Sequence, residues 1–217
     1  MLIFLVIFSD FITAMPYMGL DSIFITAKSG DTIFIKKGIY NARAKPYIED
    51  ICGNCIEPLT EVKTTVGFYI KDKILLIIGE HRDSTILFTN AGYGLLFENC
   101  DDIYISNLTV TGGKRSPDGN ATDAGIVVKN SRVLIQNVAV VDNTHRIDTV
   151  VVGIGGIFGR EGAEIYISNC FINNNTWDGI ALYRGASEVI TDNIIKKVRG
   201  EGIDITWDAS ALIFRNF

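Results

Sequence analysis

The sequence predicts an all-β solenoid, in which one chain winds through short strands and stacks each coil on the previous one. Two observations carry this prediction. Glycine-led and asparagine-ended apolar segments alternate along the chain, and each kind recurs every 23 to 32 residues. Glycine is abundant with 21 residues and proline is scarce with 4, which suits many tight turns and few breaks in strands. A recurring unit of this length is typical of a repeat architecture.

The glycine-led segments carry apolar residues at their second and fourth places. Their five copies are residues 94–97, 125–128, 156–159, 179–182 and 202–205, and the third departs from the pattern with Gly159 in its last place. Because side chains alternate along a strand, the second and fourth places are expected to point into the solenoid. One coil cannot bury that face alone, but stacked coils can.

The asparagine-ended segments begin about nine residues later, at 103–107, 133–137, 165–169, 189–193 and 212–216. Asparagine tolerates turn geometry, and stacked copies can form a hydrogen-bonded ladder. The middle positions are expected to point outward as an apolar ribbon of Tyr104, Leu134, Tyr166, Ile190 and Ile213. A third short apolar stretch follows, as at 108–110 and 170–172.

The spacing of the glycines gives the coil length. They lie 31, 31, 23 and 23 residues apart, so a coil has about 23 residues and two coils carry insertions, at 112–123 and 142–153. An antiparallel sandwich would not explain why the same glycine and asparagine recur in register. The prediction is therefore a single-stranded parallel β-helix.

The segments before the first regular coil predict an earlier coil with strands at 66–70, 74–78 and 84–87. A short helix over 21–28 would cap it, and 43–65 would be a long insertion. Residues 1–20 form an apolar segment, either a signal peptide or a cap, and 21–217 form one β-helix domain. The apolar run 2–8 is too short to span a bilayer as a helix.

The last segment, 212–216, repeats the second strand of a coil but has no third strand and no polar cap after it. An open row of strand edges pairs readily with other chains. We therefore expect the β-helix to be incomplete at its C-terminal end, or to self-associate through this open coil.

Composition narrows the function classes. A hydrophobic content of 47% excludes disorder, and a net charge of −5 argues against nucleic-acid binding. Cys52 and Cys55 form a CxxC pair, interpreted as a small loop disulfide or as two free thiols. With two histidines and three methionines, soft-metal ligands are too scarce to favour a copper-delivery role.

Residues 30–40, Gly-Asp-Thr-Ile-Phe-Ile-Lys-Lys-Gly-Ile-Tyr, resemble the entry segment of right-handed parallel β-helix proteins of the pectin-lyase-like superfamily. The later Gly and Asn units resemble repeats of its carbohydrate-binding and sugar-hydrolase members. The resemblance implies a right-handed fold and a secreted or periplasmic protein that binds or processes polysaccharide. The superfamily includes lyases, hydrolases, epimerases, esterases and non-catalytic members, and no catalytic motif matches residue by residue.

Stacking predicts a cluster of three carboxylates. Asp178 and Glu201 each precede a unit glycine on adjoining coils, and Asp204 is the outward residue of the last glycine unit. Like charges this close raise a pKa or attract a cation such as Ca²⁺. Arg184 and Trp207 are predicted neighbours, with Asp208 next along the chain and Arg199 in the preceding turn.

These groups support two hypotheses. In the first, the protein is a polysaccharide lyase or glycoside hydrolase for acidic glycans, with Asp178, Glu201, Asp204, Arg184 and Arg199 as catalytic residues. In the second, it is a non-catalytic carbohydrate-binding or surface module. Tyr104, Tyr166, Trp207 and Asp208 would contact sugar rings in either case. In the alternative interpretation neither feature is functional: the charged residues face water, and the 43–65 insertion covers the ribbon.

Overall fold

The computed structural model describes residues 10–147 and 150–217. Three sheets run along its length, and each regular coil contributes a strand to sheet C, then to sheet A, then to sheet B. Sheet A comprises β1 (Phe11–Ala14), β2 (Thr32–Ile35), β6 (Ile74–Gly79), β9 (Asp102–Ser106), β12 (Arg132–Gln136), β17 (Glu164–Ser168), β20 (Ser187–Thr191) and β23 (Ser210–Phe214). Sheet B comprises β3 (Gly38–Asn41), β7 (Thr85–Phe88), β10 (Thr109–Thr111), β13 (Ala139–Val141), β18 (Phe171–Asn173) and β21 (Ile194–Lys196).

Sheet C contains the glycine-led segments. It comprises β4 (Lys45–Glu49), β5 (Val62–Lys71), β8 (Tyr93–Glu98), β11 (Ala124–Lys129), β16 (Gly155–Arg160), β19 (Ile180–Leu182) and β22 (Ile203–Ile205). A separate antiparallel hairpin of β14 (His145–Ile147) and β15 (Val150–Val152) lies within the second predicted insertion. The strand pairs of the regular coils are all parallel, as predicted.

The glycine-led segments stack in register, which confirms the predicted repeat. Ile126 pairs with Ile157, Ile157 with Ile180, and Ile180 with Ile203, each in a parallel ladder. The leading glycine is needed because the backbones of adjacent coils approach closely there. A Cβ atom at Gly94 would lie 2.5 Å from the carbonyl oxygen of Gly125.

The second and fourth places of these segments point into the solenoid, as predicted. Leu95, Phe97, Ile126 and Ile180 are fully buried in one continuous apolar core. Burial of a side chain of this size stabilises the fold by about 1.5–3 kcal/mol. The same burial is repeated on each coil, and together these contacts stabilise the stack of coils.

The asparagine turn is confirmed in three coils and wrong in the last two. Asn107, Asn137 and Asn169 adopt the left-handed conformation at the end of their strands, and Asn137 Nδ2 donates to Asn107 Oδ1 at 2.8 Å. In the next coils Asp192 and Arg215 occupy that position, with φ of 59° and 54°. The residues that follow them, Asn193 and Asn216, form their own ladder one place further along, at 3.0 Å.

This offset of one residue inverts the predicted faces of the last two strands of sheet A, since side chains alternate. Tyr166 pairs with Val189, which pairs with Leu212, so these residues continue the outward ribbon. Ile190 is fully buried, and Ile213 stacks on it, so their prediction as ribbon residues was wrong. The same inversion points Glu188 into the apolar interior, where it stacks on Ile165.

The predicted insertion 43–65, after β3, contains a strand that the sequence did not predict. Its first part forms β4, which pairs antiparallel with β5 at the edge of sheet C. The rest crosses the outer face of sheet C, where Cys52 and Val62 bury the outward residues of the glycine-led strands. Leu96 and Val127 are therefore fully buried although they point away from the solenoid. The insertion covers sheet C, not the ribbon on sheet A.

Strand β1 and helix α1 (Leu20–Thr26) close the N-terminal end of the solenoid, as the predicted capping helix would. Phe24 packs edge-on against Phe68 with ring centroids 6.0 Å apart, and Lys73 Nζ donates to carbonyls at the end of the helix, which would otherwise lack donors. Of the apolar segment 1–20, predicted to be a signal peptide or a cap, residues 1–9 lie outside the described residues. Within the described chain, no helix has the length and hydrophobicity needed to cross a bilayer.

Candidate functional site

Residues 50–58, here called the disulfide strap, lie across the outer face of sheet C. Cys52 and Cys55 form a disulfide, which decides between the two interpretations of the CxxC pair. Arg184 holds the strap, because its Nε donates to Cys52 O at 2.8 Å and its Nη2 donates to Cys55 O. Trp207 Nε1 donates to Asn54 Oδ1 at 2.8 Å.

The predicted neighbours Arg184 and Trp207 do lie together, with the guanidinium carbon 5.0 Å from the indole centroid. Both, however, are occupied in holding the strap. The predicted catalytic cation at Arg184 therefore already has acceptors in the backbone carbonyls of the two cysteines. Asp208, beyond Trp207, is exposed, as is Arg199 in the turn before Glu201.

A buried ionic network anchors the start of the strap. Arg160 is fully buried and makes a two-pronged ion pair with Glu49, with nitrogen–oxygen distances of 3.0 and 2.8 Å. The same guanidinium donates to Thr122 Oγ1 at 2.6 Å and to Ile51 O at 2.9 Å. Tyr93 contributes its hydroxyl, which donates to Glu49. Strand β4, the strap and sheet C are thereby tied together.

The first insertion, 112–123, is held by Asp123 at its end. Asp123 Oδ2 accepts from Arg115 Nη1 at 2.7 Å and from the Ser116 N–H at 2.6 Å, while Oδ1 accepts from Thr64 Oγ1 at 3.1 Å. His145 Nδ1 accepts the N–H of Arg115 at 3.2 Å. Burial raises the pKa of Asp123, and the charge of Arg115 opposes that rise.

The strap and the first insertion enclose a cavity of about 250 Å³ on the outer face of sheet C, here called the strap cavity. Phe158 and Tyr183 form its floor, with their rings edge-on at 5.7 Å, and Trp177 forms one wall. Residue Trp177 is 45% exposed, and its ring packs against Gly153, where a Cβ atom would lie 2.8 Å from the ring. The polar side chains of Asn54 and Arg115 also line the cavity.

The predicted carboxylates do adjoin each other beside this cavity. Asp178 is buried, and its Oδ1 accepts the N–H of Glu201 from the next coil at 2.9 Å. Burial raises the pKa of Asp178 to about 7; the Glu201 N–H opposes the rise, and the charges of Glu201 and Asp204 add to it. Burial, and then the charge of Glu201, also raise the pKa of Asp204.

No three His, Cys, Asp or Glu side chains in residues 10–147 and 150–217 lie close enough together to hold a metal ion. Asp178, Glu201 and Asp204 are neighbours along the stack, but they do not converge as the three-carboxylate ligand set that the sequence suggested. Calcium binding by these residues stays a prediction, which calorimetry on wild-type protein would test.

The comparison that decides the family concerns most of the chain. A family model described as "Right handed beta helix region" matches residues 64–217. The chain belongs to this right-handed β-helix family. A search of solved structures finds similarity to pectin methylesterase PemA from Erwinia chrysanthemi, at 13% sequence identity and a TM-score of 0.38. The match covers 91% of this chain and spans 66% of the length of that chain.

The apolar ribbon on sheet A is the second surface that the sequence predicted, and in this β-helix it lies open. Tyr104, Leu134 and Tyr166 stack in register on its outer face. Leu134, Tyr166 and Leu212 line a shallow trough of about 750 Å³, in which Tyr166 is 40% exposed. The Tyr104 hydroxyl donates to Gln136 Oε1 at 2.9 Å. No described residue of the 43–65 insertion lines this trough.

The strap cavity itself was missed at the level of sequence, although its elements were visible. Trp177 directly precedes Asp178, and Arg115 and Asp123 lie in the first insertion of the solenoid. The strap, by contrast, comes from a segment more than 100 residues before Trp177 in the chain. The periodicity of the strands does not predict on which face of the solenoid such a long insertion packs.

Proposed function

We propose that the protein binds polysaccharide in the strap cavity. The observation that carries the proposal is the partly exposed Trp177, whose ring packs against Gly153 and lines a cavity together with the polar side chains of Asn54 and Arg115. Sugar rings present apolar C–H faces and a rim of hydroxyls. An aromatic face combined with a few fixed polar groups matches that chemistry.

The disulfide supports a location outside the cytoplasm, since such bonds persist in oxidising compartments. We therefore propose a secreted or periplasmic protein. An extended glycan would enter from solvent past Trp177, with one sugar residue in the cavity and the remainder along the outer surface of the coils.

Processing of the glycan is a second candidate, and Asp178 is the observation that favours it. A carboxyl with a pKa of about 7 is suited to exchange protons near neutral pH. Yet Asp178 is only 2% exposed and accepts a backbone N–H, while Arg184 is occupied by the strap. Binding is therefore the activity that the geometry supports best.

A pair of aromatic substitutions tests the site. Trp177→Ala is expected to weaken binding of oligosaccharides by about tenfold or more, because it removes the stacking wall, whereas Tyr166→Ala in the trough leaves binding unchanged. Affinity would be measured by calorimetry against a panel of soluble oligosaccharides, and thermal melting would confirm that both variants fold. The opposite pattern, with only Tyr166→Ala weakening binding, would place the site on sheet A.

Turnover is tested separately. Wild-type protein and Asp178→Asn would be incubated with the polysaccharides that bind, and new reducing ends and unsaturated products would be assayed. Release that disappears in Asp178→Asn supports processing. Tight binding without any release from wild type supports the non-catalytic function.

A further inference from the structure

The charges around the strap cavity indicate which class of sugar it accepts, an inference that rests on the proposed polysaccharide binding. Arg115 is the cationic side chain in the cavity lining. Its guanidinium already donates to Asp123 Oδ2 at 2.7 Å, to Gly119 O at 2.8 Å and to Ala121 O. An acidic sugar would have to compete with a buried carboxylate and two carbonyls for this group.

The two other guanidiniums that flank the cavity are also occupied. Arg184 donates to both cysteine carbonyls of the strap, and Arg160 is paired with Glu49 and Glu161. Movement of either side chain toward a ligand would release the strap or leave Glu49 buried without its main partner. A buried carboxylate without a partner is strongly unfavourable.

Carboxylates, by contrast, accumulate on this side of the molecule. Asp123 lines the cavity, Asp178 follows Trp177 directly, and Asp204 and Glu201 lie on the next coil. After burial, which is the main cause, the charges of the latter two add to the rise in the pKa of Asp178. An anionic ligand would therefore approach carboxylates on this side, while the guanidinium in the cavity lining is already paired with Asp123.

We infer that the strap cavity selects uncharged sugar residues and discriminates against uronates. A neutral sugar can stack on Trp177 and exchange hydroxyl hydrogen bonds with Asn54 and the polar rim, with no charge to neutralise. A uronate would place its carboxylate in a cavity that Asp123 lines, where the guanidinium of Arg115 is already bonded to protein acceptors. This inference differs from the acidic-glycan hypothesis, in which Arg184 or Arg199 neutralises the uronate.

The test uses matched ligands that differ only in charge. Uronate oligosaccharides and their carboxyl-reduced, neutral counterparts of equal length would be compared by calorimetry, beside neutral glucan, mannan and xylan oligomers. The neutral member of at least one pair is expected to bind about tenfold or more tightly than its uronate. Equal or tighter binding of the uronate members overturns the inference but leaves the proposed function standing. Failure of every oligosaccharide to bind rejects both.

A charge-removal series supplies the second measurement. Asp204→Asn combined with Glu201→Gln is expected to narrow the preference for the neutral ligand by about threefold or more, by raising uronate affinity alone. Asp101→Asn, which removes a charge in the exposed turn between β8 and β9, is the matched control and should leave the ratio unchanged. A ratio that does not move in the double variant contradicts the electrostatic origin of the selectivity.

Discussion

Arg160 and Glu188 are both charged side chains buried by the fold, one outside sheet C and one inside the solenoid. Arg160 has acceptors from Glu49, Glu161, Thr122 and the carbonyl of Ile51 within 3.0 Å. Glu188 is 4% exposed, and neither of its carboxyl oxygens has a hydrogen-bond partner among the described residues. Burial alone raises its pKa well above 4.5, which favours the protonated form.

The difference shows that burial does not by itself determine whether a charged group supports a fold. A buried ion pair whose lone pairs and protons are all satisfied resists removal of either partner, because the other is left exposed to a low dielectric. A lone carboxyl in an apolar core has lost its water without replacement. Replacement of the first kind of residue should lower the free energy of unfolding, and replacement of the second kind by an apolar residue should raise it.

Arg160→Met is the substitution expected to have the largest effect. It leaves Glu49 buried without its two-pronged partner and should lower the free energy of unfolding by about 3–5 kcal/mol. Chemical denaturation would measure it. The matched control is Lys129→Met, on the neighbouring strand, whose ammonium lies 3.4 Å from the same carboxylate and is partly exposed; its effect should be clearly smaller. Equal effects would show that the network is not centred on Arg160.

Glu188→Leu is expected to act in the opposite direction. The leucine removes an unsatisfied carboxyl and packs against Ile165, so the free energy of unfolding should rise by about 1–3 kcal/mol. Glu188→Gln, of similar size and still unsatisfied, is the control and should change little at neutral pH. A loss of stability in the leucine variant would show that Glu188 has a partner, and the contrast with Arg160 would disappear.

Most of the fold followed from the sequence because stacking is periodic. The glycine spacing gave the coil, and alternation gave the inward face of sheet C. The spacing alone did not reveal the offset in the last coils: Asn193 lies 24 residues after Asn169 where the glycines lie 23 apart, but Asn169 lies 32 after Asn137 where the glycines lie 31 apart and still keeps its turn position. That offset of one residue moves Ile190 inward and carries Glu188 with it, and it was overlooked because an asparagine was assumed to mark the same turn position in every coil.

The candidate site was only partly predictable. Stacking placed Asp178 beside Glu201, and Arg184 beside Trp207, since equivalent positions of adjoining coils are neighbours. It could not show that Arg184 is occupied, because its acceptors lie about 130 residues away along the chain in the strap. The contacts of an irregular insertion with distant parts of the chain do not repeat along the sequence, so a repeat pattern cannot predict them.

Asp178 stands between the two extremes, and its contribution to stability depends on pH. It is buried like Glu188, but one oxygen accepts the Glu201 N–H. Its pKa of about 7 in the folded protein exceeds the unfolded value of about 3.9. The folded state therefore holds more protons between these values, so this residue's contribution is present at low pH and is lost as the pH rises toward 7.

Asp178→Asn should remove that pH dependence while it keeps an oxygen for the Glu201 N–H. Melting temperatures would be measured from about pH 4 to pH 8. The melting temperature of the variant should rise relative to that of the wild type as the pH increases, and the difference between them should be constant above about pH 7. Glu201→Gln is the control: it removes a neighbouring charge but not the titrating group, so its curve should keep most of the wild-type slope. Parallel curves for Asp178→Asn and wild type would mean that the hydrogen bond from the Glu201 N–H fully compensates the burial of the Asp178 carboxylate. A single donor would then be enough to make a buried carboxylate as well satisfied as the ionic network around Arg160, in contrast to Glu188.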